Sequence, residues 1–243
     1  MDNDPAEKIH ENIDAAEIAR FAAMASIWWD RKGGLKALHD INGLRLDYVN
    51  ARVSLPGKRI VDVGCGGGIF TEALSSAGAF VTGIDAGEAP LAVARLHLKQ
   101  SGLRIHYRQA TAEKYVATHG QGFDAVTCLE LLEHVPKPSS VVSACSELVK
   151  PGGDVFFATL NRNLKSFLFA IVAAEYLLGM VRRGTHSYSK FIKPAELGRW
   201  AEDAGLVFRD LTGLHYNPLL RKYSLGGNTH VNYLMHFRRP VPE

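Results

Sequence analysis

The sequence predicts an α/β protein, one mostly parallel sheet with helices on both faces. Three observations predict it. Short β-branched and apolar runs alternate with stretches of helical periodicity along most of the chain. The first run, Arg59-Ile60-Val61-Asp62-Val63, passes directly into Gly64-Cys65-Gly66-Gly67-Gly68 and then a helical pattern, which reads as strand, turn, helix. The second run, residues 79–84, ends in Asp85, about twenty residues beyond the glycines, where a ribose-binding acid belongs. Backbone without Cβ approaches a ligand closely, the N–H groups opening a helix favour an anionic one, and a carboxylate accepts both ribose hydroxyls. A nucleotide-like guest is implied.

The elements follow in order. Residues 1–13 are polar. From Asp14, the residues Ile18, Phe21, Ala22, Ala25 and Trp28 recur at helical intervals, with Asp14 as cap and Glu17 completing a capping box. The pair Trp28-Trp29 and a turn at 31–34 lead to a second helix over 41–51 that carries Leu44, Arg45 and Tyr48. Residues 1–55 thus read as a helical arm or cap ahead of a main domain over 56–243. The tryptophans either dock this arm on the core or line the site.

After Asp85 come a helix over 90–100 and a strand over 103–108. The segment Gln109-Ala110-Thr111-Ala112-Glu113 occupies the turn where doubly wound folds contact a base; Glu113 equally suits a helix start beside the positive dipole end. The fourth strand, 123–129, is apolar on both faces, as a central parallel strand should be. It runs into Glu130-Leu131-Leu132-Glu133-His134, and strand carboxyl ends are where ligands sit, so this acid cluster and Leu129 face the site. A helix over 139–149, a tight turn at 150–153 and a fifth strand over 154–160 follow. The last long helix spans 196–204 behind Pro194, and strands over 206–211 and 230–237 close a seven-stranded sheet.

Between the fifth strand and the last helix lies an insertion, about residues 163–192, with an apolar core at 167–181. Fifteen helical residues at ~1.5 Å each reach roughly 22 Å, short of a ~30 Å hydrocarbon layer, and Glu175 interrupts them. Phe167, Ile171, Ala174, Leu178 and Val181 form one stripe, while Lys165, Arg182, Arg183, Lys190 and Lys193 suit anionic headgroups. The expectation is an interfacial helix or lid touching a membrane or a greasy substrate; an ordinary buried helix is the alternative.

Composition narrows the class. With 243 residues, 47% hydrophobic and 22% charged, the chain suits one globular domain with an appended arm. A net charge of +3 without a dense basic stripe argues against nucleic acid. Cys65, Cys128 and Cys145 are far apart in unlike patterns, which reads as reduced thiols in a cytoplasmic protein. The acidic start, Met1-Asp2-Asn3-Asp4-Pro5, is unlike a secretory signal.

The glycine spacing separates two ligand classes. A dinucleotide fingerprint needs a glycine where Ile69 stands, which disfavours a nicotinamide oxidoreductase. Gly64, Gly66 and Gly68, with Asp62 two residues ahead, resemble instead the first motif of the class I S-adenosylmethionine-dependent methyltransferases, whose fold is Rossmann-like. Pro151-Gly152-Gly153 before the fifth strand resembles another of their motifs. Beyond these generic features, segments 21–30, 38–46, 128–135, 159–163, 184–186, 191–194 and 213–218 are similar to the bacterial ubiquinone biosynthesis O-methyltransferases. The tryptophan-bearing arm and His215-Tyr216-Asn217-Pro218 are the most specific parts of that likeness.

The resemblance implies cofactor contacts at Arg45, Gly64, Asp85 and Leu129, where members often carry Met in place of Leu129. Around these it implies Asp62 orienting the cofactor's ammonium, Gly66 in the loop, and Ala112 with Glu113 at adenine. It further implies two O-methylations of polyprenylated phenol or quinol intermediates in one pathway. It places the protein at the inner face of the cytoplasmic membrane, with an anionic lipid surface and other ubiquinone-biosynthesis enzymes as candidate partners. For proton removal, the candidates are Glu130 and His134 at the end of the fourth strand. Eukaryotic relatives are described as holding a divalent cation at the matching Glu-x-x-Glu-His, which would make Glu130, Glu133 and His134 ligands for magnesium. A metal-free reaction with His134 as base, or a purely structural role for Glu133 and His134 as caps of the next turn, are the alternatives. The rival of another class is a non-catalytic module that binds S-adenosylmethionine or lipid.

Overall fold

The computed structural model describes residues 12–162, 190–217 and 219–242. Among these, seven helices flank one sheet: α1 (Ala15–Met24), α2 (Lys36–Val53), α3 (Ile69–Ser76), α4 (Glu88–Ser101), α5 (Ala112–His119), α6 (Pro138–Leu148) and α7 (Pro194–Asp203). The strands are β1 (Arg59–Val63), β2 (Phe80–Asp85), β3 (Ile105–Gln109), β4 (Phe123–Leu129), β5 (Val149–Leu160), β6 (Val207–Asn217), β7 (Lys222–Leu225) and β8 (Asn232–Arg238). They lie in the order β3-β2-β1-β4-β5-β8-β6-β7, with the first five parallel and β8 inserted antiparallel between β5 and β6. The order reverses between β1 and β4, which opens a crevice at their carboxyl ends.

Side-chain alternation sorts the core onto the two faces of the sheet. Val61, Val126 and Phe157 pack with Val142 and Leu148 of α6 and Leu197 of α7. Their strand neighbours Ile60, Ala125 and Phe156 pack on the other face with Phe70 and Leu74 of α3. Ile41, Tyr48, Val49 and Val53 of α2 belong to that second cluster, so the arm and the sheet share one core.

Three sequence expectations need correction. The sheet has eight strands, because a hairpin turns β6 back into β7 and adds an edge strand. The turn expected at 150–153 is a bulge inside β5: pairing with β4 jumps from Phe123↔Val149 to Ala125↔Asp154, and Gly152 N–H donates to the Arg239 carbonyl at 2.8 Å. The second helix begins at Lys36, earlier than its apolar pattern suggested. The expected apolar stripe at 167–181 lies outside the described residues. No described helix is long and apolar enough to cross a membrane, and all three cysteines are buried free thiols.

Candidate active site

A cavity of about 700 Å³ opens at the carboxyl ends of β1, β2 and β4 and is roofed by α1 and α2. At one end stands the glycine loop. Asp62 closes β1 with both oxygens occupied, one accepting from Thr71 Oγ1 at 2.7 Å and one from Thr127 Oγ1 at 2.8 Å. Burial pushes its carboxyl up to about 6 against the pull of those hydroxyls. Gly66 takes a left-handed φ of 53°, which turns its N–H onto Asp85 Oδ2 at 2.9 Å. Asp85 Oδ1 accepts from Gly87 N–H at 2.8 Å, so this one carboxylate braces two turns while facing the cavity. Burial raises its pKa and the two N–H donors oppose the rise.

The arm closes over the same loop. Trp28 lies against it so tightly that a Cβ on Gly66 would stand 2.3 Å from the indole. Trp29 Nε1 donates to the Gly67 carbonyl at 2.9 Å, and its ring stacks on His97 at 3.4 Å and 3°. Trp28 therefore both docks the arm and lines the cavity, while Trp29 docks the arm alone.

The opposite end is built on the segment after β4. Leu129 lines the cavity, and Glu130 follows with a φ of 55°, an uncommon conformation for a residue with a side chain. Its carboxylate pairs with the buried guanidinium of Arg45 and accepts from Asn232 Nδ2 at 3.0 Å. Glu133 is buried; Oε2 accepts from Thr159 Oγ1 at 2.7 Å, and Oε1 has no partner. Burial, then the neighbouring Glu130 charge, pushes Glu133 up to about 7. His134 Nδ1 sits 3.2 Å from both Glu17 Oε2 and Arg20 Nη2, with the Phe21 ring edge-on at 5.0 Å. Burial lifts Glu17, yet His134, Lys190 and Arg20 outweigh it and hold its carboxyl down to about 2.

Comparison with known proteins decides what this cavity serves. A family model described as a methyltransferase domain matches residues 38–211. A protein from Stutzerimonas stutzeri named ubiquinone biosynthesis O-methyltransferase is 57% identical over 224 residues, covering 92% of this chain and 97% of the relative. The chain belongs to the ubiquinone biosynthesis O-methyltransferase family. It is an S-adenosylmethionine-dependent O-methyltransferase of ubiquinone biosynthesis. Among solved structures, the Synechocystis magnesium protoporphyrin IX methyltransferase with bound S-adenosylhomocysteine superposes with a TM-score of 0.61 at 18% identity, covering 83% of each chain. A [4+2]-cyclase superposes equally well, with a TM-score of 0.62 at 18% identity over 83% of this chain and 81% of its own. That second likeness shows that the fold alone does not carry the reaction.

For an enzyme of this family, the glycine-loop end suits the cofactor. Asp85 presents a carboxylate whose oxygens keep spare lone pairs for ribose hydroxyls, and Asp62 can likewise accept from an ammonium. Arg45 lines the cavity with its Nε buried and unpartnered, a donor suited to a carboxylate. Gly64 and Leu129 line the same space. Ala112 and Glu113, expected at adenine, are not among the lining residues: Ala112 is buried, and the Glu113 carboxylate accepts from Asn12 Nδ2 at 2.9 Å and Ser140 Oγ at 2.8 Å. Asn12, which donates to Glu113, does line the cavity.

The three groups expected to hold magnesium do not fit that task as arranged. Glu130 is committed to Arg45 and Asn232, Glu133 to Thr159, and His134 to the arm, and no trio of His, Cys, Asp or Glu among the described residues is grouped to hold an ion. Sequence reasoning missed Glu17, Arg20, Thr159 and Asn232. Glu17 matched a capping box and was read as local, whereas its carboxylate reaches Lys190 Nζ at 3.1 Å and His134. His215 and Tyr216, noted in the sequence only as a family signature, line the far cavity wall with Tyr223.

Proposed function

We propose that the acceptor is a polyprenylated phenol or catechol, that this chain performs both O-methylations of the pathway, and that it works at the inner face of the cytoplasmic membrane. One observation supports the acceptor above others. The cavity lining is mostly apolar, and Leu160, Leu214, Tyr216, Tyr223 and Val231 stand in it beside the polar His215 and Asn228, space suited to a greasy ring substituent. The family membership supports the pathway, and the cationic, apolar pattern of 165–193 supports the membrane and neighbouring enzymes as partners.

When bound, S-adenosylmethionine supplies an electrophilic methyl group on a sulfonium. The chain's own residues orient the acceptor and remove its proton. His134 is the proposed base: the Glu17 carboxylate, 3.2 Å from Nδ1, favours the imidazolium that forms when the ring takes the phenol proton. Glu130 is the proposed brace, since its charge is matched by Arg45 and its place fixed by Asn232. The proton passes from the phenol oxygen to His134 as the oxygen gains the methyl group. The test is transfer of labelled methyl to a short-chain demethylated quinol and to a polyprenyl hydroxyphenol. Turnover of both is expected; turnover of neither by protein that still binds S-adenosylmethionine contradicts the proposal.

A further inference from the structure

The hairpin that the sequence did not predict ends in two adjacent exposed leucines, one of them the most exposed large apolar side chain described. Leu219 is 92% exposed and Leu220 68%. They are held out by local structure, because Asn217 Oδ1 accepts from Leu219 N–H at 3.0 Å and from Leu220 N–H at 3.1 Å, an Asx turn. Arg221 and Lys222 follow at once. Next along the hairpin, Tyr216 and Tyr223 pair across β6 and β7 with ring centroids 4.8 Å apart, and both line the cavity.

From tip to cavity the order is therefore leucines, cations, tyrosines, substrate space. A bilayer boundary presents the matching order of hydrocarbon, anionic phosphate and the level where tyrosine settles. Charge agrees at the tip itself: Arg221 and Lys222 stand there, and Asp40, the acid acting on Tyr223, is paired with Lys36. Two leucines also offer far less than the ~800 Å² per partner of a stable protein interface, which favours lipid over a folded partner.

We propose that the β6–β7 tip, Leu219 and Leu220 backed by Arg221 and Lys222, seats in an anionic lipid surface and sets the cavity mouth against it. A lipid-borne acceptor then enters beside Tyr216 and Tyr223 without crossing water. This rests on the membrane reading above and assigns it a second contact, separate from the sequence stripe at 167–181.

The test uses the full chain and vesicles of phosphatidylcholine with or without phosphatidylglycerol. Parent protein should pellet with the anionic vesicles. L219D/L220D should partition at least about tenfold more weakly, while S-adenosylmethionine titration and turnover of a soluble short-chain quinol stay at parent values and turnover of a vesicle-borne long-chain acceptor falls. R221S/K222S should lose the preference for anionic over neutral vesicles. If L219D/L220D pellets as the parent does while L168D/I171D does not, the hairpin proposal is overturned and the membrane reading stands. Parent protein that pellets with neither vesicle overturns both. A smaller assembly on sizing, with pelleting intact, would assign the leucines to a second copy and overturn the lipid proposal.

Discussion

The two ends of the cavity are assembled over very different chain distances. At the glycine-loop end, Thr71 meets Asp62 across 9 positions and Gly66 meets Asp85 across 19, within one strand–turn–helix–strand unit, and Thr127 is the distant contact, 65 positions from Asp62. At the acceptor end, Arg45 meets Glu130 across 85 positions, Asn232 meets Glu130 across 102 and Arg20 meets His134 across 114. The first end is shaped by backbone N–H groups and threonine hydroxyls at the sheet edge, the second by ion pairs from α1 and α2 and an amide hydrogen bond from β8 to the segment after β4. Damage on the α1 side of the second end, at Glu17, should therefore unfix geometry without removing the cofactor, whereas Arg45 belongs to both ends.

The largest effect is expected where that tie is buried. Glu130→Ala strands the Arg45 guanidinium, 4% exposed, and should cost roughly 3–5 kcal/mol in denaturant unfolding; a loss below about 1 kcal/mol would mean that the pair is not what joins α2 to β4. Next comes Glu17→Gln, which removes the carboxylate at His134 Nδ1 from the arm. Turnover should fall about 10- to 100-fold with S-adenosylmethionine affinity unchanged, and an equal fall in both would erase the distinction between the two ends.

Glu133 sharpens the contrast through pH. Its folded carboxyl is pushed from the ordinary 4.5 up to about 7, because burial, then the Glu130 charge, favours the protonated form. The folded state binds this proton more tightly, so the stability it contributes is fully present below 4.5 and is lost as pH rises through about 7. Glu133→Gln keeps the acceptor for Thr159 and carries no charge, so it should flatten that slope and gain roughly 1–3 kcal/mol at pH 8 relative to the parent. An unchanged slope in urea melts across that window would refute the assignment. The smallest effect belongs to Trp29→Phe, which loses the 2.9 Å bond to Gly67 O but keeps the stacking ring, at about 0.5–1.5 kcal/mol in thermal melts.

The same contrast governs what the sequence made legible. Asp62, the glycines and Asp85 were readable because a strand, a turn and a helix leave fixed local signatures, and the ligand-facing acid follows at a set distance. Glu130 and His134 were readable as positions, since the carboxyl end of β4 must face the crevice, but their partners were not. Nothing in the apolar periodicity of α1 distinguishes Glu17 as a cap residue from Glu17 as the partner of His134. The partners of Glu113 were hidden for the same reason, because Asn12 and Ser140 reach its Oε1 from other parts of the chain. The β6–β7 hairpin escaped notice because its strand-like run is short and its tip apolar, where turns are expected to be polar.

The account stands on Asp85 serving both as the brace of the glycine loop and as the grip on the cofactor's ribose. Calorimetric titration of Asp85→Ala with S-adenosylmethionine tests that directly. Binding at least about 100-fold weaker than the parent is predicted, from two charge-assisted bonds of ~1.5 kcal/mol each; affinity within about twofold of the parent would contradict it.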